Sequence, residues 1–235
     1  MTRSGRCWIG ATPRKRNSSN QRGSRLRSAL LATALPLLWH NLVLPRLDLP
    51  LRGRTLAGLG FAAGYSAAFR SPGSRRWWTD RSPRWVLGAT VVPVVAAGTA
   101  CLVPGFRREL ARRAGPRRAP AEFTEWLSVH IPLGTVLVEE QIFRSVMPAP
   151  VAGVVGARRA TALTAAAFGL WHVHPARTAG DGVLGTVALT GLAGLGFAVL
   201  ADRGGVAAAA AAHLTIDVAG AVLVQRAGAT TDPTG

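Results

Sequence analysis

Apolar residues in this chain gather into long runs separated by short arginine-rich stretches, a spacing that fits membrane-crossing helices rather than alternating strands or the narrow stripe of a soluble helix. Seven runs predict helices: residues 26–44, broken by Pro36, then 55–69, 85–106, 123–147, 160–171, 183–201 and 205–224. The third is close to the ~20 residues that cross a hydrocarbon core and is the clearest of the first three. In the second, Gly60 and Gly64 have the small-xxx-small spacing that lets helices approach closely. The pattern predicts an all-α, polytopic transmembrane helix bundle of about seven helices, within a range of six to eight.

Composition agrees with lipid as the solvent. Hydrophobic residues make up 49% of the 235 positions and charged residues 17%, with a mean hydropathy of +0.23. That excludes disorder for most of the chain and sets it apart from an ordinary soluble domain. A net charge of +17 raises nucleic acid as a partner. The basic residues, however, lie before and between the apolar runs, without a folded polar domain to read a groove, so anionic lipid headgroups are the expected counter-charge and nucleic acid is not. Residues 1–25 read as a basic tail, 26–122 as membrane helices with arginine-rich loops, 123–225 as the core and 226–235 as a short tail. The basic start is too long for a signal-peptide n-region, so the first run is expected to stay as an anchor in the cell membrane. Cys7 and Cys101 make neither a disulfide framework nor a four-cysteine zinc site.

Other features take structural readings. Trp77, Trp78 and Trp85 beside arginines read as interfacial anchors, and Gly191, Gly194 and Gly196 inside an uncharged run read as close helix packing rather than a phosphate cradle. Seven crossings would put the arginines of 107–118 opposite the other basic loops, against the positive-inside rule. Either an early segment does not cross, the short second one first, or that loop folds over the membrane surface.

The fourth, fifth and seventh runs carry charge that lipid penalises. Glu139, Glu140 and Arg144 lie in the fourth, where an ionised side chain at the bilayer centre costs roughly 2.5–3.5 kcal/mol on insertion scales. His172 follows Phe168 in the fifth, and the seventh holds His213 and Asp217. Glu140 and Arg144 are four apart in the favourable order for a helical ion pair. Glu139 is rotated by about 100° and can face a different neighbour. Phe168 with His172, and His213 with Asp217, each share one helix face. If the polar faces pack together, Glu139, His172 and His213 meet in a cavity shielded from lipid. His40 beside Asn41 reads as a helix-interior polar pair, His130 before Ile131-Pro132 as a residue at a kink, and His174 as a possible partner for His172.

The three elements, Glu139-Glu140-Gln141-Ile142-Phe143-Arg144, Phe168-Gly169-Leu170-Trp171-His172 and His213-Leu214-Thr215-Ile216-Asp217, resemble the EExxxR, FxxxH and HxxxN/D signatures of the CPBP family, the CAAX-processing and bacteriocin-processing (Abi-like) intramembrane proteases. All three occur in that order, each in its own apolar run. The resemblance implies Glu139 as the general base that activates water, His172 as a holder of that water, Glu140 and Arg144 as a supporting pair, and His213 and Asp217 as the oxyanion side of the site. An ionised carboxylate cannot donate to an oxyanion, so Asp217 would instead orient His213 or bind metal.

Two mechanisms are open. In one, a glutamate in a low-dielectric pocket takes a proton from water held by His172, with no cofactor. In the other, His172, His213 and Glu139 ligate Zn²⁺ with an open position for water; no HExxH is present. The implied activity is an endopeptidase acting on a membrane-anchored or lipidated polypeptide. The competing expectation is a non-catalytic membrane immunity or partner protein on the same scaffold.

Overall fold

A computed structural model describes residues 18–228. Every predicted run is helical, and no strand occurs among the described residues. The expected tail 1–25 lies outside the described residues up to position 17, as does the end of the C-terminal tail from 229; residues 18–25 already belong to the first helix.

Helix α1 (Ser18–Leu38) continues through a π-helical turn, Trp39–Val43, into Leu44–Arg46. Pro36 lacks an N–H, so the carbonyl of Ala32 one turn earlier loses its helical donor. The Tyr65 hydroxyl of α2 (Leu51–Phe69) fills that place, donating to the Ala32 carbonyl at 2.8 Å, and so a helix break becomes a cross-link. Close approach of α2 depends on Gly134 opposite it, where a Cβ would stand 2.7 Å from the Thr55 hydroxyl, while one on Gly58 would make ordinary contact with Val138; Gly60 and Gly64, the expected contact glycines, face open space.

The third run is not one span. Helix α3 (Ser82–Ala100) ends in a short turn, and α4 (Pro104–Arg113) leaves it at 93°. Pro104 excludes helical geometry at Val103, which is extended, and the arginines of α4 favour headgroups over hydrocarbon. The basic stretch then folds across the end of the last helix: the Arg117 guanidinium donates to the Arg226 carbonyl, while Arg118 and Gln225 exchange two hydrogen bonds.

The fourth run is continuous. Helix α5 begins at Pro120–Glu125, widens into π geometry over Trp126–Leu137 around Pro132, and continues through Val138–Glu140 and Gln141–Val146. Its last third is buried on all sides, which makes it the centre of the bundle. Then follow α6 (Pro148–Val155), α7 (Ala157–Trp171), α8 (Val173–Ala179), α9 (Val183–Gly204) and α10 (Val206–Ala227). The core joins Phe143, Ile142 and Met147 of this central segment to Phe168 and Trp171 of α7 and Phe197 of α9.

Among the described residues three helical stretches are long and apolar enough to cross a membrane (Asn20–Arg46, Val183–Gly204 and Val206–Ala227), or up to four if bent α3–α4 counts as one. Of the other runs, α7, at 15 residues, spans roughly 22 Å at 1.5 Å per residue, α5 carries its charges, and α2 holds Arg52 and Arg54 near its start. The outer surface is apolar, with Leu56, Leu87, Val92, Leu184, Leu189 and Leu192 exposed, as suits a helical membrane bundle.

Helices α7 and α9 touch backbone to backbone. A Cβ on Gly169 would lie 2.5 Å from the Val187 carbonyl, and one on Gly194 would lie 3.1 Å from the Phe168 ring. The glycine cluster therefore packs helices, except Gly196, which faces open space. Gly169→Ala is expected to cost about 1–3 kcal/mol by forcing the helices apart, read as a lowered Tm of the detergent-solubilised protein; an unchanged Tm would contradict the contact.

The start of α10 is set by the loop at 70–81. Val206 and Ala207 donate their N–H groups to the carbonyls of Arg76 and Trp77, and Gly205 between α9 and α10 has φ +76°, with the Trp77 carbonyl 2.7 Å from where a Cβ would stand. Arg75 and Ser145 bind one another reciprocally at the end of α5. Trp77, expected as an interfacial anchor, donates its indole N–H to Gln141 at 2.6 Å.

Candidate active site

Three helices bring the polar residues together. Glu139, Glu140 and Arg144 come from the buried part of α5, Phe168 and His172 from the end of α7, and His213 and Asp217 from the middle of α10. Glu140 is wholly buried, and Glu139, Arg144 and His213 are nearly so.

The two glutamates diverge as helix geometry requires. Glu140 turns to the Arg144 guanidinium, with Nε to Oε2 at 3.4 Å, and accepts a hydrogen bond from His213 Nδ1 at 2.9 Å. Arg144 also lies over the Phe168 ring, 4.1 Å from its centroid, and over Phe197 at 5.1 Å. A buried guanidinium whose Nε and one Nη lack hydrogen-bond partners gains from ring faces that it can approach without water. Phe168 is thus the floor under the cation.

Glu139 faces the other way. Its Oε1 accepts the indole N–H of Trp171 at 2.9 Å, and its Oε2 is buried with no hydrogen-bond partner, 3.8 Å from His213 Nε2. Asp217 Oδ2 lies 3.6 Å from the same His213 nitrogen. With Nδ1–H committed to Glu140, the His213 ring is held with Nε2 between two carboxylates, and Phe197 stacks on its face at 4.9 Å. Orientation of a histidine by a carboxylate on its other nitrogen fixes which atom faces the reactive space.

His172 stands at the break between α7 and α8, in the sparsely populated bridge region at φ −89°, ψ 8°. Its Nδ1–H donates to the Phe168 carbonyl at 2.8 Å. A carbonyl only accepts, so the proton is on Nδ1, and in the neutral ring Nε2 keeps its lone pair for another donor. The Phe168 ring meets both histidines edge-on, with centroids 5.0 Å from His172 and 5.9 Å from His213.

The residues do not fit zinc. Among the described residues no three His, Cys, Asp or Glu side chains form a group that could hold a metal ion. Each candidate keeps one atom free of a hydrogen bond within the protein, Nε2 of His172 and of His213 and Oε2 of Glu139, but the three do not come together as a ligand group.

Trp171 is the residue that reading the sequence missed. A buried indole N–H needs an acceptor, and it stands next to His172, but nothing along the chain indicated Glu139 as that acceptor. His40 and Asn41 also belong to this region rather than to the interior of their own helix: the His40 ring stacks on Trp171 at 3.8 Å, and Asn41 bonds to Leu170 and His174. His174, expected as a partner of His172, engages Asn41 through its backbone N–H. His130 is buried within the π-helical stretch beside Pro132, accepting from Thr55 at 2.7 Å and donating to Glu125.

Residues 122–219 match the family model described as type II CAAX prenyl endopeptidase Rce1-like. The match covers less than half of the chain. The Rce1-like stretch contains all seven motif residues, from Glu139 to Asp217, and leaves α1 to α4 outside it. No curated protein and no solved structure matches the chain.

Proposed function

We propose that this protein is an intramembrane endopeptidase that hydrolyses a peptide bond with a water activated by Glu139. The observation that carries the reading is the buried, unpartnered Oε2 of Glu139, facing His213 inside the Rce1-like stretch. Glu139 Oε2 takes a proton from water whose other hydrogen is held by His172 Nε2, and the oxygen adds to the scissile carbonyl carbon. His213, as the imidazolium whose Nδ1–H is held by Glu140, presents Nε2–H to stabilise the oxyanion, with Asp217 beside it. The proton on Glu139 passes to the leaving nitrogen as the C–N bond breaks. A site enclosed by membrane helices suits a hydrophobic, lipidated or membrane-anchored polypeptide in the cell membrane, and the basic loops suit anionic headgroups.

The test compares new protein termini in membranes of cells expressing wild type or Glu139→Ala. Termini that appear only with wild type name the substrate and the cleaved bond; indistinguishable membranes, with both proteins present and folded, would reject the activity in favour of a non-catalytic partner protein. Because the donor set does not fit zinc, cleavage is expected to persist in the presence of a metal chelator. Loss of cleavage, restored by added zinc, would overturn the metal-free route.

A further inference from the structure

Helix α7 stops at Trp171 and α8 begins at Val173, so the backbone rung in which the His174 N–H would donate to the Leu170 carbonyl is not made. Both groups are nevertheless satisfied. Asn41, from the π-helical turn of α1, inserts its side-chain amide between them: Nδ2 donates to the Leu170 carbonyl at 3.0 Å, and Oδ1 accepts the His174 N–H at 2.8 Å. The second hydrogen on Nδ2 goes to the Leu37 carbonyl at 3.1 Å, which pins the amide to its own helix. One side chain thus replaces the missing rung, and the residue enclosed by that rung is His172.

The insertion has a geometric consequence. Residues 170 and 174 lie two positions on either side of His172, which holds the bridge-region conformation that lets its Nδ1–H reach the Phe168 carbonyl. Without Asn41 the His174 N–H would lose its partner and the Leu170 carbonyl would keep only the His172 N–H at the helix end, so the two groups would either close the rung, returning His172 towards helical geometry, or seek water. The neighbouring His40, stacked on Trp171, keeps the same turn docked against α7. Asn41 lies outside the Rce1-like stretch, so this support is a feature of the chain's own N-terminal region.

We propose that Asn41 is a positioning residue, whose side-chain amide, inserted into the α7–α8 break, holds His172 in its working place. The inference rests on the proposed proteolysis for its functional part and on backbone geometry for its structural part, and the test separates the two. Hydrogen exchange at the amides of residues 170–176 is measured on the full chain in lipid nanodiscs, for wild type, Asn41→Leu and Asn41→Asp. The leucine variant removes both bonds while keeping the branching of the side chain, and exchange at His174 is expected to rise at least about tenfold. The aspartate variant keeps the acceptor for His174 and is expected to fall between the other two. On a peptide spanning the bond found by the terminus comparison, kcat is expected to fall at least about tenfold in Asn41→Leu with KM unchanged, and to recover partly in Asn41→Asp. Unchanged exchange in Asn41→Leu, or faster exchange with an unchanged kcat, overturns the proposal. If wild type cleaves nothing, the proposed activity falls, and the exchange rates alone decide whether Asn41 holds the break.

Discussion

Glu139→Gln is expected to leave the bundle folded and to slow cleavage by roughly 10²–10⁴-fold, the range that a positioned general base supplies. Glutamine has the same shape, and its carbonyl oxygen can still accept the Trp171 indole N–H, so the Trp171–residue 139 link that the wild type makes at 2.9 Å survives. What is lost is the basicity of Oε2, which is buried with no hydrogen-bond partner and, unlike the equally unpartnered Oε2 of Glu140, has no guanidinium beside it. The loss should appear in kcat, because an amide cannot take the proton of water while substrate contacts remain. The measurement is the rate of appearance of wild-type-specific termini, with Tm as a folding control. Cleavage within a few fold of wild type would remove Glu139 from the base position.

Arg144→Ala is expected to be the most destabilising single change at the site, by about 3–5 kcal/mol, because it leaves Glu140 buried without its counter-charge. It also empties the space between the Phe168 and Phe197 rings. The compensating experiment removes both charges. Arg144→Leu with Glu140→Leu should recover much of the stability, since apolar replacement of a buried pair is often neutral or favourable. It should not recover cleavage, because His213 then loses the carboxylate that orients its Nδ1. Denaturant or thermal unfolding in detergent reads the first effect and terminus formation the second. A double variant no more stable than Arg144→Ala would mean that the pair holds more than its own charges.

The motif residues were legible along the chain for a plain reason. A charge in an apolar run carries a cost that something must offset, and four-residue spacing puts its partner on the same helix face. That reasoning reached Glu140 with Arg144, His213 with Asp217, and Phe168 with His172, each of which the structure brings into contact or close approach. It did not reach Trp171, Phe197 or Asn41. Their partners lie on other helices, and an aromatic ring or a lone asparagine in an apolar run looks the same whether it packs, bonds or faces lipid. Zinc remained possible for the same reason: residue types permit a ligand set, and no spacing along the chain says whether they converge; among the described residues no three such side chains form a group that could hold a metal ion.

Apolar runs by themselves determined that this chain is a helical membrane bundle and where its helices lie, because hydrogen bonding within the segment is the only way to satisfy a single apolar strand of backbone in lipid. They did not determine which helices run the full thickness. Pro104 turns the clearest early candidate through 93°, and whether Gly58 or Gly60 meets a neighbour depends on how α2 is rotated against α5. Local spacing sets which side chains share a face, and it set the three polar faces of the site. Only tertiary packing decided which face meets which, and so which carboxylate oxygens were left without a hydrogen bond, because contacts between helices distant in the chain depend on rotation and close approach that no local pattern encodes.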